Sequence, residues 1–126
     1  MNENRIRVGV IGAGANTIGL HIPGLLGQPE VEVVAVANRT RKSSMRVARK
    51  FNIEHTPRSW EEIVYDDCID AVCIGTGPYM HAPLTISALE NGKHVLCEAR
   101  MAMNSLEAAA MLEASRMHPN QVAQSV

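Results

Sequence analysis

A doubly wound parallel α/β sheet is the fold class this sequence predicts, and three observations carry it. Short, near-continuous apolar runs recur at residues 6–11, 31–37, 69–75 and 93–97, as strands covered on both faces require. Segments with helical spacing or helix caps separate them, and that alternation builds right-handed crossovers around one sheet. The first run breaks at Gly12 and Gly14 and then passes into a helical segment. Strand, glycine turn and helix together form a phosphate cradle. The first glycine makes the tight turn, the second lets backbone approach a pyrophosphate, and the helix start offers free N–H groups.

Taken in order, the helix after the turn should run from Thr17 to about Gln28, capped at Asn16 or Thr17. The third glycine of the usual spacing is replaced by Thr17, and a glycine appears only at Gly19. With Asn16-Thr17 there, the loop is expected to be one residue longer, Thr17 being both cap and possible hydroxyl donor to phosphate. Pro23 has no N–H to donate, so the helix should be irregular or restart there. A lone Gly-x-Gly also fits a plain tight turn, so the company it keeps along the chain matters.

The second strand runs straight into Asn38-Arg39-Thr40, then Arg41, Lys42, Ser43 and Ser44. This is about twenty residues past the glycines, where a carboxylate would hold the ribose 2′-hydroxyl of NAD. Cationic and hydroxyl donors without a carboxylate suit a 2′-phosphate, so NADP is favoured over NAD, the second choice. The bland alternative is a helix N-terminus capped by Thr40 or Ser43 with ordinary surface charge.

The helix continues through Met45 to Phe51, and residues 53–56 are a strand candidate stopped by Pro57, with no role given to His55. Ser59-Trp60-Glu61-Glu62 has the form of a capping box opening a helix to about Tyr65, with Trp60 packed on the sheet. The run ending at Gly75 enters Thr76-Gly77-Pro78, a turn at the carboxyl end of a strand, where such sheets bind ligands. His81 opens the next helix and either touches a cofactor or merely caps. That helix ends at Gly92 as a C′ glycine. After the run 93–97, Asn104 or Ser105 caps a helix to about Met117. Its apolar positions (Leu106, Ala109, Ala110, Leu112, Met117) read as core packing, and Met101, Met103 and Met111 as gap-fillers. Residues 122–126 start a sixth strand, cut short. The glycine turn, the second-strand tip and the Thr76 turn should converge on one crevice where strand order reverses.

The 126 residues read as one domain, with 46% hydrophobic and 20% charged residues. A net charge of −1 gives no electrostatic basis for binding nucleic acid or an anionic membrane, and no apolar run has membrane-spanning length. Met1 to Arg5 carries no secretion signal. Three cysteines without paired metal-ligand spacing read as reduced, buried thiols. A cytoplasmic protein without a metal site is expected.

From Ile6 to Met117 the chain resembles the nucleotide-binding half of the Gfo/Idh/MocA oxidoreductases. The resemblance rests on Gly12-Ala13-Gly14, His21, Ala35-Val36-Ala37-Asn38-Arg39, and the run from Asp70 to Thr76 leading to His81. Most specific is the stretch from Ala88 to Glu98, similar to the family's approach to Glu-Lys-Pro. The resemblance implies a Rossmann-type domain in which Gly12, Gly14, Ala15, Asn16, Thr17 and Ile18 contact the pyrophosphate. It places Asn38, Arg39 and Thr40 at the adenosine 2′-position, Thr76, Gly77 and His81 on the nicotinamide side, and Glu98 near its ribose.

Two departures stand out. The family's catalytic lysine falls on Ala99, whose methyl moves no proton, and its proline on Arg100, which could orient an anionic or carbonyl substrate. The family's second, substrate-reading domain would follow residue 126. The resemblance implies an oxidoreductase transferring hydride to or from a sugar- or polyol-like substrate. The 126 residues alone would bind cofactor, turn over little and associate as homo-oligomers through an exposed apolar face. The alternative is a non-catalytic NADP-binding regulatory or sensing module, and a fragment without a ligand is the third possibility.

Overall fold

The computed structural model describes residues 5–126, so the reading of Met1 to Asn4 lies outside it. Five parallel strands form one sheet: β1 (Ile6–Ile11), β2 (Val31–Ala37), β3 (Ala71–Ile74), β4 (His94–Cys97) and β5 (Ala123–Ser125), in spatial order β2-β1-β3-β4-β5. Strand order reverses beside β1, so the glycine turn at its carboxyl end opens into the crevice between β2 and β3. Helices α1 (Ile22–Leu26) and α2 (Arg41–Phe51) cover one face. There Ile22, Val47 and Ala48 pack on Val8, Val10, Val33 and Val36. Helices α3 (Trp60–Val64), α4 (His81–Glu90) and α5 (Ser105–Met117) lie on the other, where Ile63, Leu84, Leu89 and Ala114 pack on Ile11, Val34 and Ile74. The doubly wound expectation therefore holds.

The expected strand at 53–56 shrinks to one bridge, His55 to Ala35. His55 N–H donates to Val34 and Val36 N–H to His55 (both 3.1 Å), and Pro57 has no N–H to continue the ladder. Among the described residues five strands, not six, make the sheet. The helix after the turn is also unlike the expectation. Ala15 and Asn16 are already helical, and neither Asn16 nor Thr17 caps through its side chain. The surplus residue lies inside the helix, in a π segment (Thr17–His21) closed by the Ile22 N–H on the Thr17 carbonyl. The α-helix resumes at Ile22 with Pro23 in its first turn, directly after the widened π turn. The proline without an N–H thus follows the one irregular turn of a helix that runs unbroken from residue 15 to 26.

The capping box at Ser59 does not close. Ser59 makes no side-chain cap bond, and Glu62 accepts instead from the Arg58 N–H at 2.9 Å. Trp60 does pack against the core. Only Met111 and Ala114 of α5 are buried. Leu106 (82% exposed), Leu112 and Met117 face solvent, and Met101 and Met103 are exposed rather than gap-filling. Alanine-rich spacing gives a helix but does not say which side meets the sheet. Cys73 and Cys97 are buried and free, but Cys68 is exposed, contrary to the expectation of three buried thiols. Burial pushes the Cys73 thiol up to about 12, with the nearby Glu98 charge adding to it. No described helix is long and apolar enough to cross a membrane.

Candidate functional site

The crevice is built by three carboxyl-terminal strand ends. Gly12, with φ of 81°, turns the chain out of β1, and Thr76 lies directly over it. A Cβ on Gly12 would come within 2.6 Å of Thr76 Cγ2 and 2.7 Å of its backbone nitrogen. Gly14 faces open space, with nothing within 4 Å of where a Cβ would stand. Gly12, Ala13, Gly14, Asn38, Arg39, Thr40, Ser43 and Gly75 line one cavity of about 360 Å³. No carboxylate side chain is among them.

Gly75 supplies what the usual third glycine would. A Cβ there would meet Thr17 Oγ1 at 2.1 Å and the Gly12 carbonyl oxygen at 2.5 Å, so helix and sheet approach closely because the strand end is bare. Thr17 is 1% exposed and seated on that glycine, so its hydroxyl does not face the cavity as the sequence suggested. Ile18 packs into the core on the α1 side. Ala15 and Asn16 remain exposed at the helix start, where the first N–H groups of a helix have no carbonyl of their own.

Asn38 holds the crevice together rather than reaching out of it. Its Oδ1 accepts from the Ala13 N–H at 2.6 Å, and its Nδ2 donates to the Ala13 carbonyl at 3.3 Å and to Ser43 Oγ at 2.8 Å. The amide therefore ties the glycine turn to the first turn of α2, and it stands in the cavity wall with both polar atoms already bonded. Thr40 is the N-cap of α2, accepting from the Ser43 N–H at 3.2 Å. Arg39 is free of carboxylates and donates from Nη2 to the Tyr79 hydroxyl at 2.9 Å across the mouth.

On the far side, His81 is fully buried. Its Nδ1 lies 2.6 Å from the Arg100 carbonyl oxygen and its Nε2 2.9 Å from that of Thr76. The ring staples the Thr76 turn to the Arg100 turn, with both nitrogens engaged by backbone carbonyls. Gly77 seats the Tyr79 ring, which a Cβ would strike at 2.7 Å. Glu98 accepts from Nε2 of His21 and from the Ala99 N–H, and the His21 bond is the main reason its carboxyl lies below the usual range. Arg100 donates weakly to Met103 Sδ at 3.7 Å.

The assigned site residues did not include Gly75, which lines the cavity, or Tyr79, which bonds Arg39, and His21, which holds Glu98, had no role. Ser43 stands three positions after Thr40 and Gly75 one before Thr76, and that spacing was the signal available. The residues present fit a dinucleotide. A bare glycine turn, an exposed helix start and a cationic, hydroxyl-lined cavity without carboxylates converge at the switch point. A second, mostly apolar recess beside Thr85, Val95, Met111 and Leu112 gathers no convergent charge.

Residues 6–125 match the family described as "Oxidoreductase family, NAD-binding Rossmann fold". The chain belongs to this Gfo/Idh/MocA family. An uncharacterized oxidoreductase of Rhizobium meliloti is 35% identical over 108 residues, 86% of this chain and 32% of that protein. The dTDP-3,4-didehydro-2,6-dideoxy-alpha-D-glucose 3-reductase of Streptomyces antibioticus is 37% identical over 98 residues, 78% of this chain and 30% of that protein. Among solved structures, a 3-ketoreductase from Actinomadura kijaniata in complex with NADP and TDP-benzene superposes with a TM-score of 0.88 at 28% identity, covering 96% of this chain and 37% of that one. The chain thus spans about a third of the length of these Gfo/Idh/MocA relatives. It is an NAD(P)-binding Rossmann domain of that family.

Proposed function

We propose that these 126 residues form the NADP-binding domain of an oxidoreductase acting on a sugar- or polyol-like substrate. The observation that carries it is the cavity at the β2 tip, where Arg39, Thr40 and Ser43 share a wall with the glycine turn and no carboxylate intervenes. A dianionic 2′-phosphate is favoured there, and an adenosine 2′-hydroxyl has no carboxylate to receive it. The pyrophosphate would rest on Gly12, Gly14 and the N–H groups of Ala15 and Asn16, with Thr76 and Gly77 forming the wall toward the nicotinamide. Glu98, held ionised by His21, is placed to accept a ribose hydroxyl. The cofactor, when bound, supplies the hydride chemistry, and the protein supplies binding and orientation.

Support for the substrate class comes from the relative named as a dTDP-3,4-didehydro-2,6-dideoxy-alpha-D-glucose 3-reductase and from a structural neighbour named as a myo-inositol 2-dehydrogenase, 25% identical with a TM-score of 0.87. The Ala99 methyl handles no proton, so acid–base work belongs to other groups. Substrate recognition is assigned to the part of the family's length that these residues do not span. The exposed Leu106, Leu112, Met117 and Val122 favour a homo-oligomer, and the three free thiols a cytoplasmic setting.

Calorimetric titration with NADPH and NADH tests the cofactor. NADPH should bind at least tenfold more tightly, and Arg39→Asp should reverse the order. Equal or tighter NADH binding by the unaltered chain would overturn the assignment.

A further inference from the structure

The Arg39–Tyr79 bridge has a use that packing does not explain. Tyr79 is 54% exposed, and its ring is no part of either core cluster. Its position is nonetheless fixed. Pro78 begins a 3₁₀ turn (Pro78–Met80) closed by the Met80 N–H on the Gly77 carbonyl at 3.1 Å, and one edge of the ring lies against the bare Gly77. The hydroxyl is thereby delivered to the guanidinium of a residue 40 positions earlier, on the opposite lip of the crevice.

We propose that Tyr79 is a cofactor-specificity residue, holding the Arg39 guanidinium over the cavity and donating its own O–H to a phosphate on the adenosine 2′-oxygen. This inference rests on the 2′-phosphate assignment above. A phenol oxygen that accepts a hydrogen bond from arginine keeps its proton to donate, so the pair presents N–H and O–H donors side by side. A free arginine loses much rotamer freedom when it closes on a phosphate, whereas one already tied to a seated phenol loses less. The chain Arg39 N–H, Tyr79 oxygen, Tyr79 O–H and phosphate oxygen is also polarised in one direction, which strengthens each bond in it. NADH offers a neutral hydroxyl at that place and gains little from either donor. Tyr79 therefore discriminates between the cofactors rather than merely binding both.

The experiment is a calorimetric cycle with NADPH and NADH on the unaltered chain, Tyr79→Phe, Arg39→Ala and the double variant. Phenylalanine keeps the ring on Gly77 and removes one half-exposed oxygen, and thermal melts of each variant check that the fold is retained. Tyr79→Phe should weaken NADPH about tenfold, leave NADH within about twofold, and cost NADPH a smaller factor once Arg39 is alanine, because only the direct O–H donation is then left to lose. If the unaltered chain prefers NADPH yet Tyr79→Phe changes neither cofactor, or weakens both equally, the role of Tyr79 is overturned and the 2′-phosphate assignment stands. If the unaltered chain shows no NADPH preference, the assignment itself falls, and this inference with it.

Discussion

Glu98 is held at both carboxylate oxygens, by Nε2 of His21 from the π segment and by the N–H of Ala99 at 3.0 Å. The bond joins the helix that leaves the glycine turn to the carboxyl end of β4, 77 residues later in the chain. With its carboxyl held below the usual range chiefly by His21, Glu98 contributes stability above its unfolded pKa of about 4.3. That contribution is lost as pH falls through the lower folded value. Glu98→Gln should therefore lower stability at pH 7, by an amount that shrinks toward zero in acid. Urea unfolding across that range measures it, and a pH-independent loss would refute the linkage.

Gly75→Ala should destabilise the domain by about 3 kcal/mol, because both Thr17 Oγ1 and the Gly12 carbonyl stand inside the reach of a Cβ. Gly19→Ala, by contrast, meets nothing within 4 Å at an exposed helical position. It should be neutral or stabilising by about 0.5–1 kcal/mol. Denaturant midpoints of the two variants give the comparison directly.

Removing the Asn38 amide leaves the Ala13 N–H and Ser43 without a partner. Asn38→Ala should cost about 2 kcal/mol and weaken NADPH and NADH to the same extent, since it loosens the turn rather than the 2′-contact. A loss confined to one cofactor would show that Asn38 touches the ribose after all.

On α5, Leu106→Ala should change stability by less than about 0.5 kcal/mol, and Met111→Ala should cost about 2–4 kcal/mol. Leu112→Glu is expected to reduce self-association in sedimentation without lowering the melting temperature. An unchanged oligomer distribution would remove Leu112 from any interface.

Strand and turn positions were legible because apolar runs bounded by glycine and proline admit few other structures. The glycine turn, the second-strand tip and the Thr76 turn could be assigned to one crevice because topology carries sites at strand ends together. What escaped was three-dimensional exchange of roles. No spacing rule says that Gly75, on β3's end, substitutes for a glycine expected at Thr17. Nor does any rule say that Asn38 and His81 bond inward while Tyr79 reaches across. The failure on α5 has a different cause. A helix rich in alanine and leucine lacks a strong polar face, so its periodicity gives no orientation. At residues 53–56 the short segment fitted a strand, but Pro57 left room for a single bridge.

The surplus residue in the first helix is absorbed where it stands. Each residue turns an α-helix by about 100°, so an insertion into a regular helix would rotate everything after it, and the widened turn Thr17–His21 takes up that rotation instead. Ile22 therefore keeps its fully buried place in the core despite the extra residue before it. Deleting Gly19 should restore a regular helix without moving Ile22, and the readjustment would fall on the widened turn alone, with His21 at its end against Glu98.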